Sequence, residues 1–560
     1  MTHIAEEKLD RSAAIAQLTA PGQPYEIVEQ MIGGVKQRVF ASAPATFRDF
    51  FDLNCSDAIQ YVYEDERYTY EDTYQRAARV AHALINDYGI GKGDRVAIAM
   101  RNYPEWAVAF EAITSIGAVA VAMNALWESE EMAFGLAHSG SRLIFADQER
   151  LQRLAKIETL IDVISVRAEN SNVKSIENLV AASDVSGMPF VDIDADDNAT
   201  ILYTSGSTGK PKGAVSTYRN IMTAILSYEL ENMISMVMNR ITPRPMPYQM
   251  AMLLGVPLFH VAGLHSVLLG SYREQRKIVA MYKWDSDKAA GLIEAEQISV
   301  FAGPATMTGD LLEVGKRTDR DLSTLRVVGG GGSPRSPQQV RGIKETFSKA
   351  STSQAWGMTE TNGLGTMISG DDYVERSTCS GRCAPVLDIK VVDDAGVELS
   401  ANQPGEIWVR GPTVIREYWD NDEANRSSFV DGWFRSGDIA YLDEEGYLYI
   451  VDRLKDLIIR GGENIGCGEV EAGLMEHPAV LEAAVYGMPD ERLGEEIGST
   501  IYCSEQIDED ELRAFLQQHL ARFKIPVYIR VSNDHLPRTG SGKIKKLDLR
   551  QQHIDLLADS

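Results

Sequence analysis

Tyr203-Thr204-Ser205-Gly206-Ser207-Thr208-Gly209-Lys210-Pro211-Lys212-Gly213 is the stretch on which the reading of this chain turns. It directly follows a strand-like segment, Ala199 to Tyr203. Hydroxyls, glycines and lysines at the end of a strand can aim backbone N–H groups, side-chain oxygens and cations at a polyphosphate. The loop is not a Walker A loop, which needs four residues between its glycines and Ser or Thr after the lysine. Here two residues separate Gly206 from Gly209, and Pro211 follows the lysine. Proline at that point also blocks an immediate regular helix. The expectation is a nucleotide phosphate site of another kind than a P-loop.

Working outward, Tyr74, Ala77, Ala81, Leu84, Ile85 and Tyr88 recur at helical spacing, with Thr69 as N-cap and Gly89 as stop. Arg95 to Met100 then reads as a buried strand. Pro104 opens a helix to about Ile116, Ala118 to Met123 is strand, Glu128 to His138 helix and Arg142 to Ala146 strand. The alternation resumes from Ile278 to Val328 and predicts an α/β fold with mixed, mostly parallel sheets. Beyond Pro385 the segments Leu387–Val392, Gly405–Arg410 and Tyr447–Val451 alternate between Gly, Asp and Asn turns. They predict an antiparallel sheet or distorted β-barrel subdomain. From Leu457 a smaller βαβ-like unit follows: helix Glu469–Glu476, strands Val480–Tyr486 and Ile497–Cys503, and helix Asp508–Leu520. A loop rich in Gly, Ser and Lys, Pro537 to Lys546, comes after it. The boundary falls near Lys455, giving a large domain, 1–454, and a small mobile α+β domain, 455–560.

A chain of 560 residues exceeds one core, since domains split beyond roughly 250–300 residues. Its formal net charge of −26 argues against binding nucleic acid and makes any polyphosphate site gather its own cations. The five cysteines form no disulfide framework or zinc set, which suits a cytoplasmic location. Met1 to Asp10 lacks the apolar region of a signal peptide. Ala112 to Leu126 is too short and interrupted for a transmembrane segment.

Four other segments carry chemistry. Gly329-Gly330-Gly331-Gly332-Ser333-Pro334 lets backbone approach a flat ligand without Cβ interference, or is simply a flexible loop. Trp356-Gly357-Met358-Thr359-Glu360 offers an aromatic, a hydroxyl and a carboxylate. Asp431-Gly432-Trp433-Phe434-Arg435-Ser436-Gly437-Asp438 places a carboxylate after a tight turn, and Pro537-Arg538-Thr539-Gly540-Ser541-Gly542-Lys543 ends in a lysine. In this order the five segments resemble the adenylate-forming (ANL, AMP-binding) superfamily: acyl-CoA synthetases, adenylation domains of peptide synthetases and firefly-type luciferases. The resemblance spans about Thr69 to Lys546.

The resemblance implies roles residue by residue. Thr204, Ser205, Gly206, Ser207, Thr208, Gly209, Lys210 and Lys212 would form the phosphate loop. Gly331, Gly332, Ser333 and Pro334 would line the adenine, and Trp356, next to Gly357, stands where relatives place a stacking Tyr. Thr359 would contact the α-phosphate, Glu360 would hold Mg²⁺, and Asp438 with Arg453 would bind the ribose. Lys543 would be the adenylation lysine, completing a catalytic set with Thr204 and Glu360. Lys455 takes the hinge position, and Arg460 to Ile465, with Gly461, Gly462 and Glu463, resembles the loop lining the pantetheine tunnel. Two departures stand out. Gly466-Cys467-Gly468 replaces a common Tyr-Pro, which should loosen that loop and leaves Cys467 either a reactive thiol or, more commonly, an inert packing group. Arg335 replaces a usually apolar residue, with its reach to the ligand open.

The reaction implied has two steps. A carboxylate attacks the α-phosphate of Mg·ATP, giving acyl-adenylate and pyrophosphate; a thiol then takes the acyl group and releases AMP. Positioning and charge neutralisation would carry it. His260, in Pro257-Leu258-Phe259-His260-Val261-Ala262-Gly263, stands where amino-acid-activating relatives have an Asp for the α-ammonium. With no carrier domain after residue 560, this favours free coenzyme A as acceptor. His260 is a gate or carboxylate contact, or a packed histidine at a helix start. Leu264, Trp356, Gly357, Met358, Gly363 and Leu364 make an apolar pocket set, favouring a hydrophobic monocarboxylic acid: fatty, aryl or polycyclic. A luciferase-type oxygenase, a carrier-protein acylating enzyme and a non-catalytic protein of the same fold are the alternatives. A homodimer is left open.

Overall fold

The computed structural model describes residues 10–169, 173–204, 211–241, 246–454, 456–460, 463–539 and 542–558. Local sequence chemistry starts the elements where expected. Thr69 Oγ1 accepts from Asp72 N at 2.9 Å and Asp72 Oδ2 accepts from Thr69 N at 2.9 Å, a reciprocal cap on helix Tyr70–Asn86. Pro104 occupies the first turn of helix Pro104–Ser115, every residue of which is buried. Asp508 caps helix Glu509–Leu516 by accepting from the N–H groups of Asp510 and Glu511.

Two large sheets hold the site. The first is seven-stranded and includes Val119–Ala122, Arg95–Ala99, Leu143–Asp147 and Asp162–Val166, all parallel, with Asn198–Thr204 alongside. Its edge turns antiparallel at Lys212–Thr217 and Glu417–Tyr418. The second is nine-stranded, with a parallel centre containing Ala251–Leu254, Val300–Gly303, Val327–Gly331 and Ser351–Trp356 and antiparallel edges. One hydrophobic core draws Val96, Ile98 and Leu202 from the first sheet and Leu253, Phe301 and Val328 from the second. Parallel strands end together, so Thr204, Gly331 and Trp356 all lie at C-terminal strand ends, where α/β sheets bind ligands. Helix Tyr218–Met238 is absent from the sequence reading. Its buried residues face several sides, so no single apolar stripe marks it.

After Pro385 the chain forms a five-stranded antiparallel sheet including Asp388–Val392, Gly405–Arg410, Trp433–Leu442 and Leu448–Arg453. Its hydrogen-bonded path is open among the described residues, which realises the expected antiparallel sheet. Its edge strand Phe429–Val430 is only two residues long and pairs with Trp433–Leu442, too short to bridge across. Beyond residue 457 the expected βαβ-like unit is present as strand Gly494–Cys503, helix Glu509–Leu516 and the parallel strand Tyr528–Ser532, with Val480–Asp490 added to the first strand as a long antiparallel hairpin. A core cluster made only of residues from Ile458 to Ile529 underlies it.

Candidate active site

Thr204 and Lys212 are register partners in the antiparallel pair that carries the phosphate-loop sequence between them. Ser205, Gly206, Ser207, Thr208, Gly209 and Lys210 lie outside the described residues, as do Lys455, Gly461 and Gly462. Lys212 Nζ sits 5.1 Å above the ring of Tyr418. The Tyr418 hydroxyl donates to Glu360 Oε1 at 2.8 Å. Burial and the Glu360 carboxylate push the Tyr418 phenol well up, so it stays a donor. Thr359 and Glu360 occupy a single 3-10 turn, Thr359–Thr361, held by the bond from Ile415 N to Glu360 O at 2.9 Å. Gly357 is obligatory beneath this turn, because a Cβ there would run into the Gly363 carbonyl.

The four glycines divide into two pairs. A Cβ on Gly329 would meet Ala302 Cβ and Ser353 Oγ, each at 3.2 Å, and one on Gly330 would meet Gln354 Oε1 and, at 2.7 Å, Arg335 Cζ. These two make room for protein. A Cβ on Gly331 would stand 3.7 Å from Ala355 O and one on Gly332 3.9 Å from Lys543 Cε, ordinary contacts with no clash. Only the second pair can serve a flat ligand. Ser333 Oγ accepts from Ala305 N at 3.1 Å, and Ser333 O accepts from Gln354 Nε2 at 3.1 Å.

Trp356 is buried, and its Nε1 donates to Asp438 Oδ2 at 2.8 Å. Asp438 is register partner to Arg453, whose Nε lies 3.2 Å from Asp438 Oδ1. Burial raises the Asp438 carboxyl, against the lowering influence of Arg453, the Trp356 hydrogen bond and Lys543. His260 packs on Phe259 with ring centroids 4.6 Å apart, at the entry to the π-helix Ala262–Leu269. Desolvation first, and Lys543 second, push the imidazole down to about 4, so it is neutral near pH 7. Gly363 O accepts from the Tyr228 hydroxyl at 2.7 Å beside the same helix, and Met358 is partly buried.

Lys543 reaches this cleft from the far end of the chain. Its loop docks through Gly542, whose carbonyl accepts from Thr306 Oγ1 at 3.1 Å. Gly542 has φ of 83° and lies against Pro304 and Met307. Glu463 is exposed and pairs with Arg460 in a hairpin of the 458–465 region. Cys467 is not on a loosened loop: it opens helix Cys467–Met475, its N–H donates to Asp452, and its thiol donates to Asp456 O at 3.1 Å. Burial pushes that thiol far up, and Gly466 is needed because a Cβ would stand 2.8 Å from Val451 O.

Sequence reasoning missed Tyr418, Gln354 and Thr306. None sits in a segment with a pattern; strand pairing and helix packing bring them in. Among the described residues no group of three His, Cys, Asp or Glu could cage a metal. A single carboxylate such as Glu360, linked to Lys212 through Tyr418, is instead the donor set that Mg²⁺ uses when nucleotide oxygens and waters complete its shell. No described helix is long and apolar enough to cross a membrane.

A model of the AMP-binding enzyme family matches residues 48–419, and one of the AMP-binding enzyme C-terminal domain matches 469–543. A long-chain-fatty-acid–CoA ligase of Mycobacterium tuberculosis is 34% identical over 493 residues, covering 87% of this chain and 94% of that protein. The 2-succinylbenzoate–CoA ligase of Bacillus subtilis is 32% identical, covering 88% and 95%. In solved structures, the Bacillus subtilis o-succinylbenzoate CoA synthetase with its acyl-adenylate superposes at a TM-score of 0.76, with 28% identity and coverage of 91% and 98%. Its complex with ATP and magnesium gives 0.74, at 28% identity and coverage of 91% and 100%. Described residues of these segments thus lie near one another, Trp356 with Asp438, Glu360 with Tyr418 beside Lys212, and Lys543 near Gly332, within a fold and a sequence shared with these enzymes. The chain belongs to the AMP-binding enzyme family, as an acyl-CoA synthetase of the adenylate-forming kind.

Proposed function

We propose that the chain joins an apolar monocarboxylic acid to coenzyme A through an acyl-adenylate, consuming ATP and releasing pyrophosphate and AMP. The observation that carries this reading is convergence. Lys543 Cε would lie 3.9 Å from a Cβ on Gly332, and the lysine's charge acts on both Asp438 and His260, so it neighbours three other segments. In this reading Lys543, Lys212 and the loop 205–210 neutralise charge that builds on the phosphates, with Thr204 and Thr359 donating hydroxyls. Asp438, oriented by Trp356 and Arg453, accepts from the ribose hydroxyls, and Gly331 to Pro334 line the adenine. Glu360, oriented by Tyr418, would hold Mg²⁺, which when bound offsets phosphate charge. Neutral His260 gives the acid no cationic partner and suits an apolar substrate.

The domains are taken as 1–454 and 455–560, supported by the separate core beyond Ile458. Lys455 is the hinge, and Gly461 to Glu463 line the thiol's path in the second step. The described cysteines are all free, in keeping with a reducing cytoplasm. A site built from one chain does not require a homodimer. Pyrophosphate release against a panel of fatty, aryl and polycyclic acids, amino acids and diacids, with and without coenzyme A, tests the reading. Acid-dependent release, thioester formation with coenzyme A and preference for apolar monoacids are expected. Preference for an amino acid, or acyl-adenylate that coenzyme A does not consume, would refute it.

A further inference from the structure

Arg335 has a buried cationic head and no carboxylate among its hydrogen-bond partners. It is 4% exposed. Its Nη2 donates to Gly329 O at 2.5 Å and its Nη1 to Val328 O, Ser353 O and Thr352 Oγ1 at 3.3, 3.1 and 3.1 Å. Its Nε donates to Thr308 Oγ1 at 3.2 Å. Arg335 therefore turns away from the ligand side and inserts beneath the glycine run. Gly330 is the residue that admits it, since a Cβ there would stand 2.7 Å from Arg335 Cζ.

The partners belong to three elements that have to stay in register. Val328 and Gly329 lie on strand Val327–Gly331, Thr352 and Ser353 on strand Ser351–Trp356, and Thr308 on helix Ala305–Arg317. The first two strands end in the ledge Gly331–Gly332 and in Trp356. The helix begins at the turn that receives Gly542, one residue before Lys543. Four consecutive glycines do not hold such an end in place by themselves, because each has unusual backbone freedom. An aliphatic side chain at position 335 could fill the space but could not bind carbonyls on two strands and a hydroxyl on a helix. Arg335 can, through its planar fork of five donors.

We propose that Arg335 is a positioning residue that locks the nucleotide ledge to the helix on which the adenylation lysine docks. It touches neither substrate nor phosphate, and it acts in the first half-reaction. The proposal rests on the function proposed above.

The test compares Arg335→Lys, Arg335→Met and Thr308→Val with the parent protein. Melting temperature, ATP affinity by calorimetry, and single-turnover rates of each half-reaction are measured, the second from supplied acyl-adenylate at saturation. In Arg335→Met, ATP affinity and adenylation rate should each fall by about tenfold or more, the range expected for losing charge-assisted hydrogen bonds. Thioester formation should change by less than about twofold. Arg335→Lys, which keeps the charge but not the fork, should recover only part of the loss. Thr308→Val, which leaves Arg335 in place, should shift the same ratio by a few-fold, and it carries the test if the Arg335 variants do not fold. Unchanged ATP affinity with a lowered melting temperature, or equal slowing of both half-reactions, would overturn the proposal. If the parent binds ATP but activates no acid, the functional reading fails while the affinity comparison still judges Arg335. If the parent does not bind ATP, both fail.

Discussion

The two sides of the cleft are built differently. The Trp356–Asp438–Arg453 side belongs to the large-domain fold: Trp356 is part of a hydrophobic cluster, and Asp438 and Arg453 are cross-strand partners. Among the described residues, the Lys543 side meets the large domain through the Thr306–Gly542 hydrogen bond and the packing of Gly542 on Pro304 and Met307, and an Arg341–Glu476 ion pair at 3.6 Å joins the two domains elsewhere. One side is built within a single domain; the other joins residues far apart in the chain. In the two-step function proposed above, Lys543 would serve the first step and the Gly461–Glu463 loop the second, by rotation about Lys455.

The largest test of the contrast is Lys543→Ala. Adenylation should fall by about 10²–10³, the scale for removing one charge-stabilising donor. Conversion of supplied acyl-adenylate by coenzyme A should be retained, and the melting temperature unchanged, since Lys543 is exposed. Loss of both half-reactions would break the distinction. On the opposite side, Trp356→Phe removes the donor to a buried carboxylate, at a cost of about 1–3 kcal/mol. Here ATP affinity and melting temperature should fall together, by about tenfold and by several degrees. A kinetic effect with unaltered stability would show that this side, too, is an add-on.

Lys455→Pro fixes φ near −65°. It should spare adenylation and slow thioester formation about tenfold in single-turnover assays, the reverse of Lys543→Ala. Thr306→Val removes one hydrogen bond, about 1 kcal/mol, so adenylation should slow about fivefold with the ATP KM unchanged. A loss as large as that of Lys543→Ala would mean the docking contact is the active side's main support.

The smallest effect is a titration. His260 and His265 are both held near 4 by burial, below the ordinary value of 6.5, and only His260 also feels Lys543. Between pH 6.5 and 4 the unfolded chain binds protons that the folded imidazoles refuse, so these two groups make stability fall as pH falls through that window. Lys543→Ala should raise the pKa of His260 by a fraction of a unit and leave His265 where it is, as read by NMR. Equal shifts in both would show that the lysine's influence is not confined to the cleft.

Much of this was legible in the residues. The Thr69 cap, the strand–helix alternation of a mostly parallel sheet and the five chemical segments are legible in the sequence, because caps, periods and turn residues act over a few positions. The sequence alone determined which chemical groups the proposed site would use: Thr204, Glu360, Asp438 and Lys543 are local choices in local patterns. Tertiary structure alone decided which glycines are open. Gly329 and Gly330 read the same as Gly331 and Gly332, and only the packing of Ala302, Gln354 and Arg335 separates them. It likewise decided that Cys467 is the buried first residue of a helix instead of riding a loose loop, and that Tyr418 meets Glu360 across 58 residues. Such assignments depend on what lies on the far side of a backbone, and that is set by elements distant in the chain, through contacts no local pattern encodes.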